Sequence, residues 1–501
     1  MLQPSGLLTK TMGTAARFRR KLFSSFKMHQ VVNLSALRFG LYKEAIGPSC
    51  IVTFSPEAPD GEPFSYLAPK EMKTLDDDLR IVIEPNDVQL IYQDDAASKS
   101  IIWSAYTWGG PRELALIRHL DGKISLDSLL REDKISKRQG IIRGDCGREN
   151  NEIRNRRILE SPEFPAGTFL SLYARSLPKN DNPWVHSRES TDYSAFNLPQ
   201  LIIKQGWQVG SKRFEAAIVK DSHEGILCSQ SYTSIHLKQG PKEILETACL
   251  VMNSRFATFY LTLASGRMAT FIPTITVEDL LSVPLPDIRP DILEGLSNHE
   301  EIDDCVREAF GFSDSEWTLI DDFFNYTLPD FKGNSDSPGR LPTRSIQLLD
   351  GDIDPEHFLR SYCDYVFRVL KAGFGPDKCI SATIFSESDG SSLPVRLVAI
   401  HLDDVKDGDI CIERYSCVEL RDQLLKWDEM LASSSSGISK GALHQRVAKI
   451  YSVVNRGRKR IPTVYLIKPD RCRYWTRSVA IRDADSIAAD IMMWQDEENL
   501  L

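Results

Sequence analysis

The chain has 501 residues, 42% hydrophobic and 26% charged, with a formal net charge of −9 at pH 7. That length predicts two to four domains with ample chain to bury cores, in the composition range of ordinary globular proteins. The acidic balance excludes a uniformly basic nucleic-acid coat, although the charges are segregated and local fields decide what binds. Acidic side chains crowd residues 71–95, 300–354 and 400–430, and basic ones crowd 131–157 and 440–482.

The ten cysteines show no C-x-x-C spacing, so they predict free thiols in a reducing cytoplasm. No apolar run approaches the roughly 18 residues that span a bilayer, which predicts no membrane segment. Residues 1–43 contain no acidic side chain, and Arg17, Arg19, Arg20 and Lys21 cluster there. They read as a basic surface helix of the first domain, with an organellar transit peptide as the alternative.

In chain order, a Pro4-Ser5-Gly6 turn precedes a helix over 15–26, with Phe18, Leu22, Phe23 and Phe26 on one face. Strands follow at 31–34 and 50–54, and short apolar strands alternating with a helix predict a buried α/β sheet. Residues 75–130 read as mainly helical. Strands are expected at 168–173, 201–204, 213–219 and 234–237, then one long helix over 241–264. Two acidic helices flank Gly311-Phe312-Ser313-Asp314, where Ser313 or Asp314 caps the second. The stretch 329–345 reads as a linker. Beyond it come a helix (357–372), strands (380–385, 395–402), a helix (416–431), a Ser-rich break at 433–437, a helix (443–454), strands (463–467, 473–479) and a last helix (484–494). There is no internal repeat.

The N-terminal order of Pro/Gly turn, Phe18-Arg19 helix, Val31-Val32-Asn33-Leu34 strand and Tyr42-Lys43-Glu44-Ala45 resembles the back half of a class I methyltransferase sheet. Together with PQLIIKQGW, Asn253-Ser254, Ser265-Gly266-Arg267, Asp279-Leu280-Leu281, Pro284 and Pro286, it resembles the C-terminal part of bacterial adenine-specific (N6) DNA methyltransferases of the restriction-modification or phage-defence type. The resemblance implies a mixed α/β and α+β fold: a truncated Rossmann-like sheet (1–75), a helical connector (76–137), a target-recognition domain (138–290), a helical segment (291–330) and an accessory α+β domain (346–501). It implies that Tyr42 stacks on an extruded adenine, as enzymes that act on a base require. The intact family uses S-adenosylmethionine. Its glycine-rich cofactor loop and Asn-Pro-Pro-aromatic catalytic loop have no counterpart here, since Asn182-Pro183-Trp184 and Asn197-Leu198-Pro199 follow the sheet segments instead of preceding them. The resemblance therefore implies a chain inactive in methyl transfer without an upstream catalytic segment, binding no cofactor by itself.

Within 138–290, Gln139, Arg143, Lys204, Gln205, Lys212, Arg213 and Arg267 supply side chains suited to base edges and phosphates, with Gly140 and Gly206 beside them. A solvated polar face is the alternative. The tail interleaves cations and rings around Arg473, Tyr474 and Trp475, a pattern that suits nucleic acid or a partner subunit. The histidines lack metal-ligand spacing, Ser231, His236 and Asp221 lack an elbow motif, and there is no P-loop. The expected partners are duplex DNA and a chain carrying the cofactor-binding half or a restriction subunit. A non-enzymatic DNA-binding specificity subunit, or a degenerate remnant, is the competing assignment.

Overall fold

In a computed structural model the described residues are all except 12, 38–40, 42–46, 74–78, 84–86, 207–210, 271–273, 289–291, 332–336, 346–355, 375–378, 389–392, 403–406, 435–447, 457–458 and 501. The chain forms two compact units, Met1–Glu71 with Asp87–Ile320, and Met72–Asn86 with Asp321–Leu501. The architecture is mixed α/β with several sheets.

The first unit opens with β1 (Leu2–Pro4), α1 (Gly6–Thr9), α2 (Gly13–Ser25), β2 (Lys27–Asn33), β3 (Ser49–Ser55), β4 (Phe64–Leu67) and β5 (Val88–Ile91). The strands form a five-stranded sheet of order β1-β3-β2-β4-β5. Strand β3 runs antiparallel to both β1 and β2, and β2 runs parallel to β4. Strands β1 and β2 therefore point the same way, and α1 and α2 make the crossover that a parallel pair requires. One face packs Val31, Val52 and Tyr66 against Leu22, Phe23, Ile102 and Trp103. On the other face a row runs Leu2, Ile51, Val32, Leu67, Val88 in register, with Leu2, Ile51 and Val88 exposed.

Helix α2 buries Ala16, Arg19, Leu22 and Phe23. At about 100° per residue that stripe centres on Arg19, which leaves Phe18 at its margin. Phe18, expected on the packed face, is accordingly exposed. Helices α3 (Gln93–Ser98), α4 (Ile101–Trp108), α5 (Pro111–His119) and α6 (Leu126–Arg131) follow. Helix α4 contributes Ile102, Trp103 and Ala105 to the core of the first sheet. Strand β5 lies in sequence read as helical, because Val88-Gln89-Leu90-Ile91 pairs along β4.

The second sheet of this unit uses β6 (Ile135–Gln139), β8 (Ser171–Tyr173), β10 (Gln200–Lys204), β11 (Ala216–Lys220) and β12 (Tyr232–Leu237), in the order β8-β11-β10-β12-β6. A separate ribbon pairs β7 (Arg143–Glu149) with β9 (Trp184–Val185). Every residue of β10 is buried, as expected of a continuous apolar central strand. The single helix expected over 241–264 is two, α7 (Glu243–Met252) and α8 (Arg255–Ala264). The apolar periodicity continues through the break, but Ser254 Oγ accepts the Ala257 amide at 3.2 Å and starts a new helix. Helices α9 (Gly266–Ala269), α10 (Val277–Leu281), α11 (His299–Phe310) and α12 (Asp314–Asp322) follow. Gly311 ends α11 at φ 68°, and Ser313 exchanges hydrogen bonds with Glu316 at the start of α12, as the sequence suggests.

In the second unit, α13 (His357–Phe374), β13 (Ile380–Glu387), β14 (Val395–Leu402), β15 (Ile410–Tyr415), α14 (Cys417–Ser434), β16 (Ala448–Arg456), β17 (Lys459–Pro469) and α15 (Arg477–Leu500) build a sheet of order β15-β13-β14-β17-β16. Three expectations change here. The helix expected over 443–454 is strand β16 where described, held by its full-length pairing with β17. The strand expected over 473–479 is a short 3-10 turn followed by α15, because Thr476 Oγ1 accepts the Val479 amide at 3.3 Å. The linker expected at 329–345 contains buried Ser337, Gly339 and Thr343, with the Thr343 hydroxyl 2.7 Å from Asp470 Oδ1. Among the described residues no helix is long and apolar enough to cross a membrane, and no His/Cys/Asp/Glu group is placed to hold a metal ion.

Candidate nucleic-acid interface

Two of the sequence-predicted residues meet at one end of the second sheet of the first unit. Gln139 ends β6 and Gln205 follows β10, with β12 between them. Gln139 Nε2 donates to Gln205 Oε1 at 3.1 Å and to the Gln230 carbonyl at 2.9 Å. Gln205 Nε2 donates to Thr233 Oγ1 at 3.1 Å, and its backbone N–H donates to Ser231 O at 2.9 Å. The carbonyl partner fixes which end of the Gln139 amide faces inward. Both of its amide protons are used, so its Oε1 is left as an acceptor. Gln205 retains one amide proton beyond Thr233.

The surroundings are assembled by short backbone links. The Ile275 amide donates to Gln205 O at 3.4 Å, and Arg267 Nη1 donates to Thr274 Oγ1 at 3.1 Å. Exposed Arg267, on α9, is thus linked to the Gln205 backbone through the 274–275 segment. Helix α9 is held from the other side, since a Cβ on Gly266 would sit 3.0 Å from Thr9 of α1. Lys137, two residues before Gln139 and so on the same face of β6, lies 3.4 Å from Glu278 Oε1. Lys137, Gln230 and Thr274 were not legible as site residues. The period-two spacing of Lys137 and Gln139 was the one available signal.

The remaining predicted residues take other positions. Lys204 is nearly buried, with its ammonium against Glu163 and 3.9 Å from Glu215. Those two carboxylates neutralise it, so it offers little charge to a phosphate. Burial, opposed by Lys204, pushes the Glu215 carboxyl up. Arg213 is buried in a paired contact with Asp303 at 2.8 and 2.5 Å, which gives its guanidinium a place inside the fold. Arg143 donates to Asn182 O at 2.7 Å, Asn180 Oδ1 at 2.7 Å and Glu160 at 2.5 Å, which ties the 180–182 loop to the ribbon. Lys212 is half-buried at φ 58°, and burial lowers its ammonium pKa. Arg473 belongs to the second unit, 5.7 Å over the Tyr474 ring. Tyr42 lies outside the described residues.

The two glycines also separate. A Cβ on Gly140 would fall 1.9 Å from Ser229 O, whereas among the described residues nothing lies within 4 Å of one on Gly206. Gly140 therefore serves close packing of backbone on backbone, and Gly206 makes no such contact among the described residues.

No protein-family profile matches the chain, and no curated protein matches it. One solved structure that it is similar to is that of the type IIG restriction endonuclease BpuSI, at 11% sequence identity and a TM-score of 0.23. The match covers 66% of this chain and 47% of that one, so the chain spans under half of that enzyme's length. A score at that level establishes no shared fold, and the functional reading rests on the residues.

Proposed function

We propose that this chain is the target-recognition portion of a site-specific adenine-N6 DNA methyltransferase of the restriction-modification type. It positions duplex DNA for a catalytic segment carried elsewhere. The observation that carries the reading is the Gln139–Gln205 amide pair. The network leaves an acceptor on Gln139 and a donor on Gln205, side by side. In the major groove adenine presents N6–H as donor and N7 as acceptor, the complement of that pair. Arg267 adds a cation suited to a flanking phosphate or a guanine edge. The crossover of β1 and β2 supports the reading of the first sheet as part of a class I methyltransferase sheet.

S-adenosylmethionine belongs to the proposed whole enzyme, where it supplies the methyl group.

Selection of full-length chain on duplex DNA with randomised sites tests the proposal. The expected consensus contains an adenine that Gln139→Ala or Gln205→Ala relaxes by about 1–3 kcal/mol, with the salt dependence unchanged. Absence of duplex affinity even at low salt overturns the reading.

A further inference from the structure

The cations of the recognition region are mostly spoken for by carboxylates: Arg138 by Glu189, Arg143 by Glu160, Lys204 by Glu163 and Arg213 by Asp303. Helix α2 differs. Its exposed side carries Arg17, Arg20, Lys21 and Ser24, at i, i+3, i+4 and i+7, a single stripe opposite the buried one. Among the described residues none of these three cations enters an ion pair. The first acidic residue in the chain is Glu44. Helix α3, which packs on α2, carries Asp94 and Asp95, and Asp95 is engaged by Lys99 at 2.5 Å and Arg118 at 3.9 Å.

The stripe is also rigidly mounted. Buried Arg19 donates through Nη1 to the carbonyls of Leu7, Leu8 and Lys10 at 3.2, 2.8 and 2.8 Å, which fastens α2 to the end of α1. Helix α1 in turn touches α9 through Thr9 and Gly266. Burial, and after it the charge of Arg20, lowers the Arg19 pKa, so an anion near Arg20 would relieve a like-charge contact.

We propose that the exposed stripe of α2, Arg17, Arg20 and Lys21, is a sequence-independent contact for the phosphate backbone of duplex DNA, with exposed Phe18 at its margin. The inference rests on the DNA-recognition reading and adds a second contact to it. Three unpaired cations at helical spacing match a polyanion of regular charge, and they carry no means of reading bases.

The test compares full-length wild type with Arg17→Ala/Arg20→Ala/Lys21→Ala, measuring affinity for duplex DNA across a salt series. The substitutions are solvent-facing, and alanine suits a helix, so the melting curve is expected to stay unchanged. The variant is expected to bind every sequence about tenfold or more weakly, with a slope of log K against log salt shallower by about 2 to 3. Arg17→Lys/Arg20→Lys retains the charges and is expected to keep the wild-type slope, which separates charge from any effect on folding. Wild-type binding with an unchanged slope in the alanine variant overturns the α2 contact alone. No wild-type binding at low salt overturns the recognition reading as well. If the substitutions leave DNA binding intact but abolish adsorption to phosphatidylserine–phosphatidylcholine vesicles, the stripe is a membrane contact and the proposal fails.

Discussion

The two units each bury an arginine against a carboxylate, and they do so to different ends. In the first, Asp303 accepts both guanidinium nitrogens of Arg213 and the backbone amide of Arg255, joining α11 to the start of α8 and to the segment before β11. At one end of the same sheet Gln139 is exposed and Gln205 half-buried. In the second, Arg396 of β14 meets Glu356, which also accepts the Ser386 hydroxyl at 2.8 Å, and Arg344 pairs with both Glu356 and Glu387. Lys468 is likewise enclosed by Asp483, the Tyr362 hydroxyl and the Tyr474 carbonyl. Charged side chains in the second unit are thus absorbed into its interior. The lesson is that a cationic, aromatic-rich sequence does not by itself make a binding surface.

Breaking these pairs gives the largest expected effects. Arg396→Ala leaves buried Glu356 with only the more distant Arg344 as a cation and is expected to destabilise the second unit by about 3 kcal/mol, read by chemical denaturation of the full chain. Asp303→Ala is expected to cost a similar amount in the first unit. Replacing both members, Arg213→Met with Asp303→Leu, is expected to recover part of that loss, since the two buried charges leave together while half-buried Arg255, 2.9 Å from Asp303, loses its carboxylate. A double variant no better than Asp303→Ala would show that the pair's hydrogen bonds to backbone, and not its charge, hold the helices.

The next test sharpens the contrast between the two glycines. Gly140→Ala would drive a methyl into Ser229 O, and it is expected to cost about 1–3 kcal/mol or more. Gly206→Ala meets nothing within 4 Å among the described residues and is expected to stay within about 0.5 kcal/mol of wild type. If both glycines tolerate alanine equally, the backbone contact at Gly140 is not rigid.

These contrasts also mark what could be read from sequence. Strand β10 was legible because Leu201-Ile202-Ile203 is a short continuous apolar run between turn residues. Strand β16 was not, because its apolar spacing also suits a helix and only pairing with β17 decides between them. In the candidate site, Gln139 and Gln205 were identified as residue types, but their contact depends on two strand registers across 66 positions. Arg213 and Arg267 look alike in sequence. Asp303, 90 positions after Arg213, separates the buried one from the exposed one.

The smallest effect concerns pH. His299, at the start of α11, stacks edge-on with Phe169 at 5.7 Å between centroids. Burial, and then the charge of Arg213, lowers its imidazole pKa, with Asp303 opposing. Below the ordinary value of about 6.5 the unfolded chain takes up a proton that the folded chain resists. The unfolded state then binds more protons, so stability rises with pH through that window and falls as the medium is acidified. His299→Phe keeps a ring against Phe169 and removes the proton. Its melting temperature, relative to wild type, is expected to climb as pH drops below about 6.5 and to level off once the folded imidazole also titrates. Parallel pH profiles for the two proteins would mean that His299 is equally protonated in both states.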